Sequence, residues 1–467
     1  MHSINREDQG GPFTVDWGTG IIERRDDAAS GSSGTVEYVV AGDFAPSRRQ
    51  VEAIRDDARV FYGDVIEEWP TADHVLCNLE CVFTDRTERL NKDGPHLVQP
   101  SSEWAGVERL PVDIYCLANN HIMDAGAGGL EDTRKLIEKS GKSACGAGLH
   151  DTHRAPLFLQ DKGVRIAIIN AAEAEEAGVN EAGAGAQVLD AALLRRMGEI
   201  RQDADLLLVI MHAGREHIPC PPPYIRKQYR DLIESGANLV IGHHPHVPQG
   251  IECYRNGIIL YSLGNLIMDD KNRAYRDEGM SVRVFMDASG VRRLEIRPHC
   301  IREGGIRLMR EAENRSFLER LKKLSGYCSD NQSSAALWDA YADYWMAHEM
   351  PAELAGSAAL LVDGPQLIQS AVRVMSETNR PGGWYRMGAR MLPFLASRMV
   401  YSKESVQGEG PPPPCVKRGA ERLRNRMMTR AHRDLYIHAM NRIIQHEAGQ
   451  AEQWAVDFVD AWFRRSI

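Results

Sequence analysis

The sequence predicts an α/β protein in which a sheet carries helices on both faces, followed by an α-helical C-terminal extension. Short apolar runs rich in Val, Ile and Leu alternate with segments of helical periodicity as far as residue 309, which is typical of a sheet covered by helices. From residue 310 onward strand patterns disappear and helical periodicity dominates. Polar residues follow several of the apolar runs directly, and they predict a site at the ends of the strands.

The apolar runs predict the strands in chain order. They lie at 35–40, 74–79, 113–117, 164–169, 206–211, 237–241 and 257–262, and residues 281–297 alternate like an antiparallel pair. The segments between them predict helices at 47–62, 129–140, 187–202 and 224–235.

We expect three regions along the chain. Residues 1–34 are polar and rich in Gly, Ser and Asp, which predicts a flexible N-terminal segment without a signal peptide. Residues 35–309 form the sheet domain, and residues 310–467 form a mostly helical region with a Pro-rich break at 403–415. The helical region is the candidate surface for a homo-oligomer, for a cap over the site or for a partner. The basic run at 417–433 is interpreted as a solvated helix face.

Charge, cysteine content and apolar runs exclude several classes of protein. The formal net charge of −9 over 467 residues argues against nucleic acid as a partner. The nine cysteines are scattered and include no CxxC pair, which favours a reducing compartment, the cytoplasm, over a secreted disulfide framework. No run of 18 apolar residues occurs, so the sequence predicts no membrane span.

The segment Gly242-His243-His244-Pro245-His246 is the strongest candidate for chemistry. It follows an apolar run, and Gly242 and Pro245 predict that the strand ends there in a turn. His244 and His246 can then point into one space, where two neutral imidazoles form the core of a transition-metal site. A histidine-rich surface turn that binds nothing is the alternative interpretation.

Other potential ligands support the metal interpretation because, together with the histidine turn, they lie at the ends of five separate apolar runs. They are Asp43, Asn78, Glu80, Asn120, His121 and His212. Asp and Asn favour turns in any protein, which explains one such position but not their recurrence at five strands. A mixed set of Asp, Glu, Asn and His suits a pair of metal ions about 3.5–4 Å apart that clamps phosphoryl oxygens and activates water.

Seven motifs occur in the order that is typical of the CapA family. They lie at 42–43, 78–80, 117–124, 132–133, 212–217, 242–246 and 261–265. The chain therefore resembles that family from about Thr35 to Asp270. The family is named for poly-γ-glutamate capsule synthesis, and its domain is similar to calcineurin-like metallophosphoesterases. The resemblance implies a four-layer α/β/β/α sandwich of the metallophosphoesterase type with a dinuclear metal centre.

The resemblance also implies roles for individual residues. Asp43 and His246 would hold one metal, Glu80 would bridge, and Asn120, His212 and His244 would hold the other. His121 would act on the leaving group or the transferring group as a catalytic residue, and Asp124 would orient it. Arg215 and Glu216 directly follow a ligand motif and are candidates for substrate contact.

Three positions depart from the expected patterns. Ala45 stands where metallophosphoesterases usually have His, Glu80 replaces the usual bridging Asp, and Ala213 stands where Trp is common in the CapA pattern. Because of Ala45 and Glu80, one firm metal and a weaker second are an alternative to two firm ones, and Ala213 predicts a wider pocket.

Two further residues of these motifs are expected to lie apart from the chemistry. We expect His243 to face away from the metals and Asn265 to be a structural turn cap. His217 is interpreted either as a substrate contact or as an exposed loop residue.

The function expected from these features is that of a metal-dependent hydrolase acting on a phosphoester, with a small molecule or a peptide as substrate. The metals would be two divalent transition ions, manganese, iron or zinc, because the ligand set suits all three. Two alternatives stay open. One is amide or peptide-bond chemistry on a γ-glutamyl-type substrate at the same centre, and the other is a non-catalytic subunit of capsule synthesis.

Overall fold

The computed structural model describes the chain in two stretches. The first covers residues 11–348 with gaps at 26–33, 68, 91, 93, 174–182, 269–274 and 303–304, and the second covers 449–464, preceded by residues 435, 438, 439, 442, 445 and 447. The chain divides into two compact units. The first comprises Met1–Leu90, Pro95–Ser334 and Arg465–Ile467, and the second comprises Asn91–Gly94 and Ala335–Arg464.

The described strands, in chain order, are β1 (Phe13–Asp16), β2 (Ile21–Arg24), β3 (Val36–Ala45), β4 (His74–Leu79), β5 (Val82–Phe83), β6 (Val98–Gln99), β7 (Ile114–Cys116), β8 (Ser143–Cys145), β9 (Ala147–Gly148), β10 (Leu157–Asp161), β11 (Val164–Ala172), β12 (Gly185–Ala186), β13 (Leu206–His212), β14 (Leu239–His243), β15 (Ile251–Tyr254), β16 (Gly257–Leu260), β17 (Asn265–Met268), β18 (Glu278–Asp287), β19 (Gly290–Arg302) and β20 (Gly305–Leu308).

The described α-helices are α1 (Arg48–Asp56), α2 (Ala58–Tyr62), α3 (Trp104–Val107), α4 (Gly126–Lys139), α5 (Asp151–Arg154), α6 (Ala191–Asp203), α7 (Pro223–Glu234), α8 (Glu311–Ser329), α9 (Asn331–His348) and α10 (Gln453–Arg464). The helix predicted at 47–62 is split in two, because the side chain of Asp57 accepts hydrogen bonds from the backbone N–H groups of Arg59 and Val60 and begins a new helix.

Two large sheets form the centre of the first unit. One has the strand order β1-β2-β19-β18-β3-β4-β7-β8, with β17 paired to β3 and β20 paired to β19. The other has the order β10-β11-β13-β14-β16-β15. The inner strands β3, β4 and β7 run parallel, as do β11, β13, β14 and β16. Their carboxyl ends therefore lie at one edge of each sheet, which is where α/β proteins place ligands.

Three apolar clusters show the layers. Buried residues of both sheets, such as Val40 and Ile210, pack together in one cluster, so the sheets lie face to face. The outer face of the first sheet packs against α1–α4 through residues such as Ile54. The outer face of the second packs against α6 and α7 through residues such as Tyr229. The first unit is thus the four-layer α/β/β/α sandwich that the resemblance implied.

The N-terminal segment corrects the sequence prediction. Residues 13–24, expected to be flexible, form the antiparallel pair β1–β2 at the edge of the first sheet. Its turn is closed by Asp16, whose Oδ1 accepts from the N–H of Gly18 at 2.8 Å, and by Gly20 at a φ of 72°. The polar turn residues dominate the local composition and conceal the short strands on either side of it.

The described part of the second unit is helical. There, side chains of α9 contact side chains of α10 and of Arg442. Tyr341 stacks on Phe463, and Arg442 pairs with Asp343 at 2.9 Å.

The Pro-rich break at 403–415 and the basic run at 417–433 lie outside the described residues. The predicted domain limits at 34/35 and 309/310 stay predictions. Helix α8, which follows the second limit, contributes Phe317 and Leu321 to the cluster between the sheets.

Candidate metal centre

All six residues predicted as metal ligands meet at the carboxyl ends of the central strands. Asp43 lies near the end of β3, Glu80 directly follows β4, and His212 ends β13. Asn120 follows β7, while His244 and His246 follow β14. All are buried except Asn120, which is half-buried. The two sheets therefore bring together residues that lie up to 203 positions apart in the sequence, between Asp43 and His246.

Glu80 lies at the middle of this group. Its Oε1 is 3.3 Å from Nε2 of His212 and 3.6 Å from Nε2 of His246. Two sets of three residues each have potential ligand atoms within 4.8 Å of one another, Glu80 with His244 and His246, and Glu80 with Asp43 and His212. A carboxylate shared by two ligand sets is the geometry of a bridging ligand. Asn120 adjoins the second set, because its Oδ1 is 3.0 Å from Nε2 of His212.

These two ligand sets divide the residues between the metals differently from the division that the resemblance implied. The resemblance places His246 with Asp43, whereas the geometry places Nε2 of His246 beside Glu80 and His244. The Nδ1 of the same ring lies 3.4 Å from Oδ2 of Asp43. The division of ligands between two ions therefore stays a proposal.

The carboxylate of Glu80 fits a metal centre because it is otherwise unsatisfied. The residue is 0% exposed, and neither of its oxygens has a hydrogen-bond partner among the described residues. A buried carboxylate without donors is costly. Divalent cations coordinated by both oxygens would satisfy it, and the surrounding imidazoles are suitable further ligands.

The pKa values of Glu80, His246 and His244 are all shifted by burial and by the charges of neighbouring ligand residues. Burial, with Asp43 acting in the same direction, raises the pKa of Glu80 to about 8. Burial opposes charge on His246, but Glu80 and Asp43 outweigh it and raise the pKa of His246 to about 9. Burial, together with the nearby His212, lowers the pKa of His244 to about 3. His244 is therefore neutral near pH 7, whereas Glu80 and His246 favour their protonated forms.

The backbone around the ligands is close-packed and bent. His244 and His246 have φ values of 95° and 59°, a region that favours glycine, and Pro245 separates them. Gly242 is required just before them, because a Cβ there would lie 2.1 Å from the carbonyl oxygen of Tyr261. Non-glycine residues at positive φ cost free energy and concentrate at functional sites. The N–H of His244 donates to Oδ2 of Asp43 at 3.1 Å, which holds the bend against β3.

His121 and Asp124 form a pair beside the ligands. The Nδ1 of His121 is 2.8 Å from Oδ2 of Asp124, and both residues are buried, with His121 6% exposed. Asp124 also accepts from the N–H of Leu97 at 2.7 Å, which fixes the carboxylate. The resemblance implied this orientation of His121 by Asp124, and the two side chains have the geometry for it.

The loop after β13 carries the predicted substrate contacts. Glu216 is 46% exposed, and its Oε2 lies 3.5 Å from Nε2 of His217. His217 itself is buried, so the exposed-loop interpretation of this residue is wrong. Its N–H donates to the carbonyl oxygen of Pro245 at 2.8 Å, which ties this loop to the histidine turn. Arg215 is buried, and its contact with substrate stays a prediction.

Sequence reasoning missed Arg276 as a residue of the site. It is buried between the less buried Tyr275 and Asp277. Burial lowers the pKa of its guanidinium to about 10, while Glu216 and Glu80 act in the opposite direction. The guanidinium of Arg276 thus interacts electrostatically with two acidic residues, Glu216 and Glu80. Arg276 lies between strands in a turn with no motif, so the sequence carries no signal for it.

His243 was expected to face away from the centre, and this expectation is wrong. Its Nδ1 is 2.9 Å from Oδ1 of Asp43, and the residue is fully buried. The expectation rested on the neighbouring His244, which is the motif residue and was expected to be the one that faces the metals. Strand β14 ends at His243, and the positive φ of His244 reverses the chain there.

The match to known proteins agrees with this geometry. Residues 37–270, half of the chain, match the family described as "Bacterial capsule synthesis protein PGA_cap". The chain belongs to the PGA_cap family. The matched stretch contains every predicted ligand, together with His121, Asp124, Arg215 and Glu216. The resemblance identified from the motifs is therefore confirmed at the level of the family.

Two curated relatives of the PGA_cap domain are similar over about half of this chain. The capsule biosynthesis protein CapA of Bacillus anthracis is 29% identical over 253 residues, covering 52% of this chain and 59% of that protein. The PGA biosynthesis protein CapA of Bacillus subtilis (strain 168) is 32% identical over 238 residues, covering 50% of this chain and 62% of that protein. The match thus spans about three fifths of the length of these relatives.

Among solved structures, a phosphatase from Mycoplasma pneumoniae is similar with a TM-score of 0.37 and 12% identity. The match covers 57% of this chain and 94% of that chain. Among the described helices of the present chain, none has the length and apolar character needed to cross a membrane.

Proposed function

We propose that this protein is a metal-dependent hydrolase with a dinuclear metal centre that acts on a phosphoester. One observation carries the proposal: Glu80 is a fully buried carboxylate with two unsatisfied oxygens, and it is shared by two sets of metal-ligand atoms. Two sets of ligands that share one carboxylate are what a two-metal phosphoesterase site requires. The membership of the PGA_cap family and the four-layer fold support the proposal.

The residues divide into ligands and groups that act on substrate. Asp43, His212 and Asn120 would hold one ion, His244 and His246 the other, with Glu80 between them. When bound, the ions supply charge neutralisation for phosphoryl oxygens and a nucleophile derived from water. Manganese, iron and zinc all suit this ligand set, and the choice among them is part of the proposal.

The substrate-side chemistry belongs to His121. Its Nδ1 donates to Asp124, so its Nε2 carries the proton that moves to the leaving oxygen when the imidazole is charged. Because Asp124 accepts at 2.8 Å, the ring keeps one orientation. Glu216 and Arg276, which interact electrostatically, would position polar groups of the substrate, as would Arg215.

A second candidate function is favoured by the names of the relatives. CapA of B. subtilis is named a PGA biosynthesis protein, and a relative from Mycobacterium tuberculosis (strain CDC 1551 / Oshkosh), 28% identical over 222 residues, is named a probable polyglutamine synthesis accessory protein. The same centre would then act on a γ-glutamyl amide bond, or the protein would serve as a non-catalytic subunit. A cation pair polarises a carbonyl as well as a phosphoryl group.

The experiment that separates these functions is a reconstitution assay. Metal-free protein is loaded in turn with manganese, iron or zinc and offered p-nitrophenyl phosphate, bis(p-nitrophenyl) phosphate and γ-glutamyl-p-nitroanilide. The matched variants are His244→Ala and His150→Ala, since His150 is exposed in a different part of the unit. We expect release of nitrophenol by wild type and His150→Ala and its loss in His244→Ala. Release of nitroaniline alone favours amide chemistry, and two bound metals without any turnover favour the non-catalytic role.

Two further assignments belong to this proposal. Location in the cytoplasm is supported by the eight cysteines of the described residues, all of which are free thiols. Association through the helical region beyond residue 310 stays a proposal as well.

A further inference from the structure

We propose that Asn265 is a positioning residue of the metal centre, which fixes the imidazole of His246 so that its Nε2 faces Glu80. The inference rests on the proposed metal centre, in which His246 is a ligand. It assigns to Asn265 a role other than the structural turn cap expected from the sequence.

Asn265 is placed beside the centre by strand pairing. It begins β17, which pairs with β3 in parallel, and its register partner is Asp43. The residue is fully buried, and its own backbone carbonyl lies 3.0 Å from Nε2 of His299. Gly279 leaves the space for this approach, because a Cβ there would lie 2.0 Å from the same carbonyl oxygen. Both the backbone and the side chain of Asn265 are therefore held in place.

The hydrogen bonds of the side chain fix which way the amide points. Its Nδ2 donates to the backbone carbonyl of Arg276 at 3.2 Å. A carbonyl oxygen only accepts, so the NH2 group must lie on that side. The Oδ1 then faces Nδ1 of His246 at 3.0 Å. Because an amide oxygen cannot donate, Nδ1 of His246 carries the hydrogen in the neutral ring.

This tautomer leaves the lone pair of His246 on Nε2. That atom is the one that lies 3.6 Å from Oε1 of Glu80. Without Asn265, the Nδ1–H has a second acceptor within reach, Oδ2 of Asp43 at 3.4 Å. The ring would then turn towards Asp43 and occupy an oxygen that the metal needs. Asn265 therefore keeps two ligands available at once, and such supporting contacts change metal affinity by about 10–100-fold when they are lost.

The first test compares metal affinity between asparagine variants. Zn²⁺ dissociation constants are measured by competition with a chromophoric chelator for wild type, Asn265→Ala and Asn265→Asp. Asn238→Ala is the matched control, because the side chain of Asn238 also hydrogen-bonds to the backbone, accepting from the N–H of Leu207 at 2.9 Å, but at the opposite end of the strands. We expect the weaker Zn²⁺ site to lose about 10–100-fold in affinity in Asn265→Ala. Asn265→Asp should recover part of this affinity, because it keeps an acceptor for His246.

A second measurement keeps the inference testable if the variants fold poorly. Wild-type protein labelled with ¹⁵N-histidine and loaded with Zn²⁺ should show His246 with its hydrogen on Nδ1 in two-bond ¹⁵N–¹H spectra. A hydrogen on Nε2, or equal Zn²⁺ affinities in Asn265→Ala and Asn238→Ala, overturns the inference while the proposed function stands. Wild type that binds neither Zn²⁺ nor, in the same competition assay, Mn²⁺ or Fe²⁺ overturns both the inference and the proposed function.

Discussion

Replacing Gly42 by alanine should loosen the strand contact that supports the metal centre. Gly42 precedes Asp43 in β3, and a Cβ there would lie 2.2 Å from the carbonyl oxygen of Gly264 and 3.0 Å from the backbone nitrogen of Leu266. Both atoms belong to the backbone, so no side chain can swing aside. The chains must separate by about 0.8 Å before the shorter contact reaches 3.0 Å, the least that real Cβ atoms show.

The expected cost follows from two effects. Overpacking of a tight interior costs about 1–3 kcal/mol. The separation also weakens the hydrogen bond from the N–H of Asp43 to Gly264, which is 3.0 Å long and contributes about 1 kcal/mol. We therefore expect the free energy of unfolding to fall by about 2–4 kcal/mol. A displacement of Asp43 approaching 1 Å should lower turnover by about 100-fold.

The assay is urea unfolding of the metal-free protein, followed by metal content and phosphoester turnover of the reconstituted variant. Gly198→Ala is the matched control, because a Cβ there meets nothing within 4 Å and the residue lies inside α6. That control should gain about 0.5–1 kcal/mol, since alanine favours a helix interior more than glycine does. A Gly42→Ala protein as stable and as metal-rich as wild type would refute the packing argument.

Three further predictions concern the centre itself. Glu80→Gln should lose at least one bound metal ion, because an amide offers one acceptor oxygen in place of two. If elemental analysis still finds two metal ions per chain in this variant, the prediction is contradicted. His121→Gln should keep its metals and lower kcat by about 10²–10⁴-fold, and an unchanged kcat would remove His121 from the mechanism. Metal uptake should release protons and strengthen as pH rises towards 9, because the raised pKa values of Glu80 (about 8) and His246 (about 9) leave both groups protonated at lower pH. Calorimetry in two buffers of different ionisation enthalpy measures this release, and heats independent of the buffer would contradict it.

The central strands could be predicted from the sequence because they are buried on both faces. All seven residues of β13 are buried, so the strand is a continuous apolar run that ends at a polar ligand. The same signal located the polar residues that follow such runs, and the resemblance to the CapA family implied which six of them are ligands. The edge pair β1–β2 carries only four residues in each strand and could not be distinguished from a polar segment.

The contacts between ligands could not be predicted, because they depend on how two sheets face each other. Asn265 reaches His246 through the pairing of β17 with β3, which joins residues far apart in sequence. Arg276 reaches the centre from a turn without a motif. His243 contacts Asp43 at the end of β14, just before the φ of 95° at His244, and local sequence pattern does not encode that angle.

The most direct test of the dinuclear centre is elemental analysis of the purified protein with the molar ratio of transition metal per chain. The shared position of Glu80 between two ligand sets predicts a ratio close to two after incubation with manganese, iron or zinc. A ratio that stays near zero after the same incubation would contradict the metal centre and the hydrolase proposal with it.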